Sequence, residues 1–333
     1  MRDFNAVTRR RVLRIAASAA GLALAPGVAG YAAAATGPQR WEGVALGADA
    51  SITLYHPDPS AGGRALDAAV AELRRLEKVF SLYRADSALS QLNRDGALDA
   101  PPPELLRLLA EARRYSEITG GAFDVTVQPL WRLYADHFAA AGADSAGPAA
   151  ADIGRALALV DYRAVTLDTA RIALDRPGMA VTLNGIAQGF VTDRVADMLR
   201  GVGLENVLVD LGEMRALGTH PDGRPWNVGI KDPFVPDGLA ARVPLANRAI
   251  ATSGGYGLYF DAAGRHHHLL DPRRGISQNR YASLSVLAPT ATRADALSTA
   301  LFNLDEDAIG EILSRMAEVE AIVIRSDGTA VRV

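Results

Sequence analysis

In the stretch TLNGIAQGFVTD, residues 182–193, Gly185 and Gly189 stand at the start of an amphipathic run that continues through Val191, Val195 and Leu199. Glycine within a helix costs about 1 kcal/mol relative to alanine. Two glycines one turn apart are therefore tolerated where the helix backbone must come very close to something else. That partner is either another helix or a ligand, and whatever the chain builds must be arranged around this approach.

The rest of the sequence supplies helices and short strands to surround it. RALDAAVAELRRLEKVFSLY carries Leu66, Val70, Leu73, Leu76 and Phe80 at helical spacing, with charges on the opposite face. PPPELLRLLAEARRYSEITGG repeats the pattern, with Pro103 in the first turn and Gly120 and Gly121 as a stop signal. RADSALSQLNRDG between them reads as a polar connection, and the alanine- and glycine-rich region 130–155 as a variable surface segment. Beyond it, AVTLD, RIALD, NVLVDLG, WNVGI, RAIATSG and ASLSVLAP read as strands around the 185–200 helix. A helix from Arg293, another near 307–317 and a hairpin turning at Asp327-Gly328 complete the chain. Short strands with inserted helices predict an α+β fold rather than a regular parallel sheet. A chain of 333 residues, 49% hydrophobic and 22% charged, has the balance of a soluble globular enzyme.

Residues 1–35 stand apart. TRRRVLR precedes an apolar stretch, Ile15 to Ala25, and a small-residue run ending YAAAATG. These are the parts of a signal peptide, and the paired Arg9 and Arg10 resemble the twin-arginine export pattern. The alternative is an uncleaved anchor helix. The expectation is a leader over 1–35, a single domain over 36–333 and a periplasmic location. Because the leader takes five arginines and one aspartate from totals of 35 basic and 38 acidic residues, the mature chain would carry about −7. Such a chain has no footprint for nucleic acid. With no cysteine there is no disulfide framework, thiolate nucleophile or thiolate metal site.

Several stretches could carry chemistry. Asp295 and Thr299, four residues apart on a predicted helix, project oxygen from one face. Carboxylate and hydroxyl form a hard donor pair suited to Mg²⁺ or Ca²⁺, although an aspartate near a helix start also serves as a cap. The three histidines of HHHLLDPRRG point in divergent directions, which favours one functional or buried histidine and two solvated ones over a metal site. DPRRG reads as a turn offering two guanidiniums. TSGGY reads either as a loop whose open N–H groups cradle an anion or as a plain turn.

In order, EKVFSLYRADSALSQLN, GGAFDVTVQPLWRL, NGIAQGFVTDRV, WNVGIKDP, AIATSGGY, HLLDPRRG and ADALSTALF resemble the ApbE family, the FAD:protein FMN transferases, from about residue 41 to the end. The resemblance implies an ApbE-like mixed α/β architecture with the active site in a cleft. It implies an extracytoplasmic enzyme that uses FAD and Mg²⁺, transfers FMN to a threonine of another protein as a phosphoester, and releases AMP. Carried over residue by residue, it implies metal ligands at Asp295, Thr299 and the Gly185 carbonyl. It also implies a general base at His268 and FAD contacts at Tyr83, Ala122, Phe123, Asp124, Thr182, Gln188 and Leu270. The partner would be an exported or membrane protein with an FMN-binding domain, NosR-like or RnfG-like, and membrane association would come only through it.

The family's usual DLGGIAKG is here TLNGIAQG, so Thr182 replaces an acid, Asn184 a glycine and Gln188 a lysine, a pattern that resembles the NosX branch. The only lysines are Lys78 and Lys231, and the frequent GGD after the central strand is LGE, with Gly212 and Glu213. Three other readings remain at this level: a non-catalytic FAD-binding maturation scaffold, an FAD pyrophosphatase with water as acceptor, and a redox flavoprotein. The last leaves Asp295 and Thr299 without a task.

Overall fold

The computed structural model describes residues 37–333; the expected leader lies outside the described residues. The chain opens with the hairpin β1 (Gln39–Ala45) and β2 (Ala48–Leu54), then α1 (Pro59–Phe80), α2 (Ala88–Asp95), β3 (Ala97–Asp99) and α3 (Pro103–Ile118). Next come α4 (Gln128–Ala139), α5 (Ala150–Leu157), β4 (Val165–Leu167), β5 (Arg171–Leu174), α6 (Ala187–Gly201), β6 (Val207–Asp210) and β7 (Met214–Leu217). The remainder is β8 (Trp226–Lys231), β9 (Leu239–Leu245), β10 (Ala249–Gly254), β11 (Tyr281–Ala288), α7 (Ala291–Leu301), α8 (Glu306–Ser314), β12 (Glu320–Arg325) and β13 (Ala330–Arg332). Eight strands form one sheet in the order β1-β2-β6-β7-β10-β11-β12-β13, with every named pair antiparallel. The α+β expectation holds.

Both faces of this sheet are covered, and the strands show it in their alternation. Leu217, Ala251, Val286 and Val323 join the main core. Their chain neighbours Ala216, Ile250, Leu287 and Ile324 point the other way, into a second core beneath the β8–β9 hairpin. Helices α1, α6 and α7 pack on the first face.

The close neighbour that the two glycines admit is α7. A Cβ on Gly189 would lie 2.3 Å from the Ala291 carbonyl oxygen, and one on Gly185 would lie 2.8 Å from Thr299 Oγ1. Both glycines therefore admit α7 against the start of α6. At 189 the obstacle is backbone, which cannot swing away. Gly189→Ala is expected to destabilise the protein by about 2–3 kcal/mol, read as a lower urea midpoint; an unchanged midpoint would mean that the helices separate without cost.

Two expectations change. The polar connection contains helix α2, started by Ser87, whose Oγ accepts from Ser90 N, and ended by Gly96 at φ 71°. The supposed surface segment contains α4 and α5: Leu130 and Tyr134, one turn apart, are buried in a third cluster with Ala156 and Leu270. Tyr134 Oη donates to the Gly275 carbonyl at 2.9 Å, so this segment holds the DPRRG turn in place. The alanine and glycine run had hidden the four-residue spacing of Leu130, Tyr134 and Phe138.

Candidate active site

The helix pair forms the floor of a cleft of about 240 Å³ whose lining includes Ala122, Phe123, Asp124, Thr182, Gly185, Gln188, His268, Leu270, Asp295 and Thr299. Residues expected from distant parts of the sequence are thus brought together, with one exception. Tyr83 is 52% exposed on the segment after α1 and does not line the cleft.

Asp295 is buried, and its surroundings show that it does not cap its own helix. The N-terminus of α7 is capped by Thr290, whose Oγ1 accepts from Arg293 N at 3.3 Å. Asp193 completes the cap from α6, accepting from Ala291 N and Thr292 N, each at 2.8 Å, while its charge is met by Arg215 at 2.8 Å. Asp295 is therefore not needed to cap its own helix. Its Oδ2 accepts from Gly189 N at 2.9 Å, which ties α7 to the first turn of α6 at a helix start that has no side-chain cap of its own.

The carboxylates here outnumber the positive charges. Burial pushes the Asp295 carboxyl up to about 7, opposed by the Gly189 N–H and reinforced by Asp193. Burial, then the charges of Asp295 and Asp210, hold Glu213 well above the usual carboxylate range. Burial raises Asp210 to about 6. Buried acids that resist ionisation gain most from a cation. Among the described residues no three His, Cys, Asp or Glu side chains group as a metal cage. A cation at Asp295 must therefore draw on hydroxyl and main-chain oxygen. These are present: Thr299 Oγ1 lies 3.4 Å from Ser253 Oγ, itself 2.8 Å from Ser298 Oγ, and the missing side chain at Gly185 opens the main chain beside Thr299. This hard donor set fits Mg²⁺ or Ca²⁺ and does not fit a thiolate-seeking metal.

The histidine run holds one fully buried ring, as expected, but neither of the other two is a solvated side chain. His267 is buried, with Nε2 donating to the Gln278 carbonyl at 3.0 Å and Nδ1 accepting from Leu269 N at 3.2 Å. Both ring nitrogens are occupied, and burial lowers its pKa to about 4. His266 packs against Tyr134 and Phe138. His268 lines the cleft, and its Nδ1 faces the Leu258 carbonyl at 3.2 Å. Because a carbonyl only accepts, Nδ1 carries the proton and Nε2 keeps a lone pair. Burial lowers the pKa of this ring too, so it is neutral at pH 7.

Other expected residues form walls. Both Asp124 oxygens are occupied within the protein: Oδ1 accepts from Thr126 N at 2.8 Å and Thr126 Oγ1 at 2.6 Å, and Oδ2 from Tyr162 N at 2.9 Å. Asp124 shapes the wall, and any direct contact with a ligand must share these oxygens. Asn93 clamps Val181 through paired bonds of 2.7 and 2.6 Å, and Thr182 N donates to the Val125 carbonyl, fixing the entry to α6. Of the two guanidiniums of DPRRG, Arg273 is held by Asp271 through two 2.9 Å bonds, and neither arginine lines the cleft. Glu213, Ser253, Tyr256 and Lys231 also line the cleft and were not picked out by the sequence. The TSGGY stretch expected as a loop is the end of β10 followed by a single turn, with Ser253 on the strand and Tyr256 in the turn, and Glu213 sits in the altered GGD.

The ApbE family model matches residues 46–323. The FAD:protein FMN transferase of Haemophilus influenzae is 35% identical over 269 residues, covering 77% of each chain. The crystal structure of the Pseudomonas stutzeri flavinyl transferase ApbE in its apo form superposes with a TM-score of 0.73 at 28% identity, covering 90% of this chain and 96% of that one. The ApbE protein of Thermotoga maritima gives 0.76 at 27% identity, covering 89% and 97%.

Proposed function

The chain belongs to the ApbE family and is an FAD:protein FMN transferase; we propose that it works with a divalent cation, Mg²⁺ by preference, and delivers FMN to a threonine hydroxyl of an exported or membrane flavoprotein. The observation that carries this reading is the convergence of Asp295, Thr299, the Gly185 main chain and His268 on one cleft. Asp295, Thr299 and the carbonyl of Gly185 would hold the cation, which supplies charge neutralisation to the phosphates when bound.

The chain's own residues supply positioning and proton transfer, the main demands of phosphoryl transfer. Phe123 and Leu270 form apolar wall for the flavin part, and Thr182 and Gln188 offer polar contacts at the start of α6. The acceptor hydroxyl oxygen forms a bond to the FMN phosphorus while the bond from that phosphorus to the bridging oxygen breaks. His268 Nε2 takes the hydroxyl proton, and AMP leaves with the bridging oxygen. The leader-like segment, residues 1–35, supports a periplasmic site of action. The Thr182, Asn184 and Gln188 pattern supports a NosR-like acceptor, with an RnfG-like protein as the other candidate.

The test is incubation of leader-free protein with FAD, Mg²⁺ and an FMN-binding domain bearing an acceptor threonine. An FMN-sized mass gain on the acceptor with stoichiometric AMP is expected. AMP and free FMN without modification would replace threonine by water as acceptor, and intact, tightly held FAD would replace the transferase by a scaffold.

A further inference from the structure

We propose that Lys231 anchors the phosphates of the dinucleotide in this chain, an inference that rests on the FAD reading above. Asp295, Glu213 and Asp124 line the cleft, and Lys231 is the only lysine or arginine among its lining residues. His268 is neutral at pH 7, and Gln188 presents an uncharged amide beside Gly212. A cation at Asp295 would be largely balanced by the carboxylates around it. An incoming pyrophosphate, anionic on both phosphates, therefore needs a positive charge from another wall. An ammonium on a flexible stem suits that task without fixed bidentate geometry.

The local structure keeps this ammonium available. In β8, Trp226, Val228 and Ile230 are buried in the second core, while Lys231 is exposed. The register of β8 against β9 shifts between Ile230 and Lys231. A bulge of this kind re-aims the side chain that follows it and is common beside active sites. The nearest carboxylate in sequence, Asp232, is turned onto the main chain, where its Oδ1 accepts from Phe234 N at 2.8 Å and Val235 N at 3.3 Å. Among the described residues Lys231 has no ion pair or side-chain hydrogen bond. It is a cation at the rim of an acidic cleft with its charge uncommitted.

The experiment measures FAD and riboflavin binding by flavin fluorescence, with a chelator present so that FAD stays intact. Wild type, Lys231→Met and Lys231→Arg are compared at low and high salt. Lys231→Met is expected to weaken FAD about tenfold and to flatten its salt dependence, because a phosphate contact is lost. Riboflavin, which lacks phosphates, should bind all three alike, and Lys231→Arg should stay within about threefold of wild type for FAD. Equal weakening of FAD and riboflavin would make Lys231 a wall residue and overturn the proposal. So would unchanged FAD affinity and salt dependence in Lys231→Met. If that result accompanied normal FMN transfer by the wild type, the proposal alone would fall; if the wild type did not prefer FAD to riboflavin, the FAD reading would fall with it.

Discussion

In the Asp295→Asn variant, FMN transfer is expected to fall at least about a thousandfold, while the metal-free protein melts no lower than wild type. The two halves have one cause. Asparagine keeps the volume and an oxygen able to accept from Gly189 N, so the contact between α6 and α7 survives. What disappears is a buried negative charge. The folded-state pKa of Asp295 is raised from an ordinary 3.8 to about 7, so the folded protein binds this proton more tightly than the unfolded chain does. The resulting stability is complete below the unfolded value and is lost as the pH rises through about 7. Without divalent cation, wild type should therefore melt lower at pH 8 than at pH 5. The Asn variant should lose part of that difference; the remainder is set by Glu213 and Asp210, raised in the same direction, against His267 and His268, whose lowered values favour the folded state as the pH rises through the ordinary imidazole range. Added Mg²⁺ should raise the wild-type midpoint at pH 8, since a ligand of the folded state stabilises it by mass action. It should leave the Asn variant nearly unmoved. Transfer measured by acceptor mass and melting followed by calorimetry check both halves; wild-type turnover, or an undiminished response to Mg²⁺, would remove Asp295 from the cation site.

How far the sequence reveals this site depends on whether a residue's task is local. Gly185 and Gly189 are legible because a glycine pair at a helix start already demands a close neighbour, and Asp295 and Thr299 because a four-residue spacing puts them on one face. The sequence leaves open which close approach the glycines serve, and α7 supplies the answer for both. The capping alternative for Asp295 is settled only by two partners outside the motif, Thr290 and Asp193. Asp193 lies about a hundred residues earlier in the chain, so no spacing could reveal it. Lys231 is hidden for a similar reason: its strand reads as alternating and ordinary, and only the placement of the β8–β9 hairpin over the sheet brings it to the cleft. Helices α4 and α5 escape because their burial depends on the 266–275 loop they hold, and alanine and glycine dilute the few apolar positions that reveal them.

His268→Ala is expected to slow FMN transfer by about a hundred- to ten-thousandfold, the usual worth of a positioned acid–base group, with FAD affinity changed less than about threefold. The ring is prepared for one task by one carbonyl. Leu258 O accepts from His268 N at 3.0 Å and faces Nδ1 at 3.2 Å, so the main chain and the ring are fixed together and the lone pair is left on Nε2. Burial, only partly opposed by that bond to Leu258, holds the pKa below the ordinary 6.5. The base is therefore already deprotonated at neutral pH, and the acid limb of the transfer rate should have its midpoint below the ordinary imidazole value, with a plateau above it. In His268→Ala that limb should disappear from the residual rate. His267 supplies the contrast within the same three-residue run: both its nitrogens are bonded and its ring lies within 5.7 Å of Phe302, centroid to centroid. Its replacement by alanine should lower the melting temperature and leave the pH profile in place. An equal loss of FAD binding and transfer in His268→Ala, or an acid limb that survives the substitution, would assign His268 to the framework as well and move the proton acceptor elsewhere in the cleft.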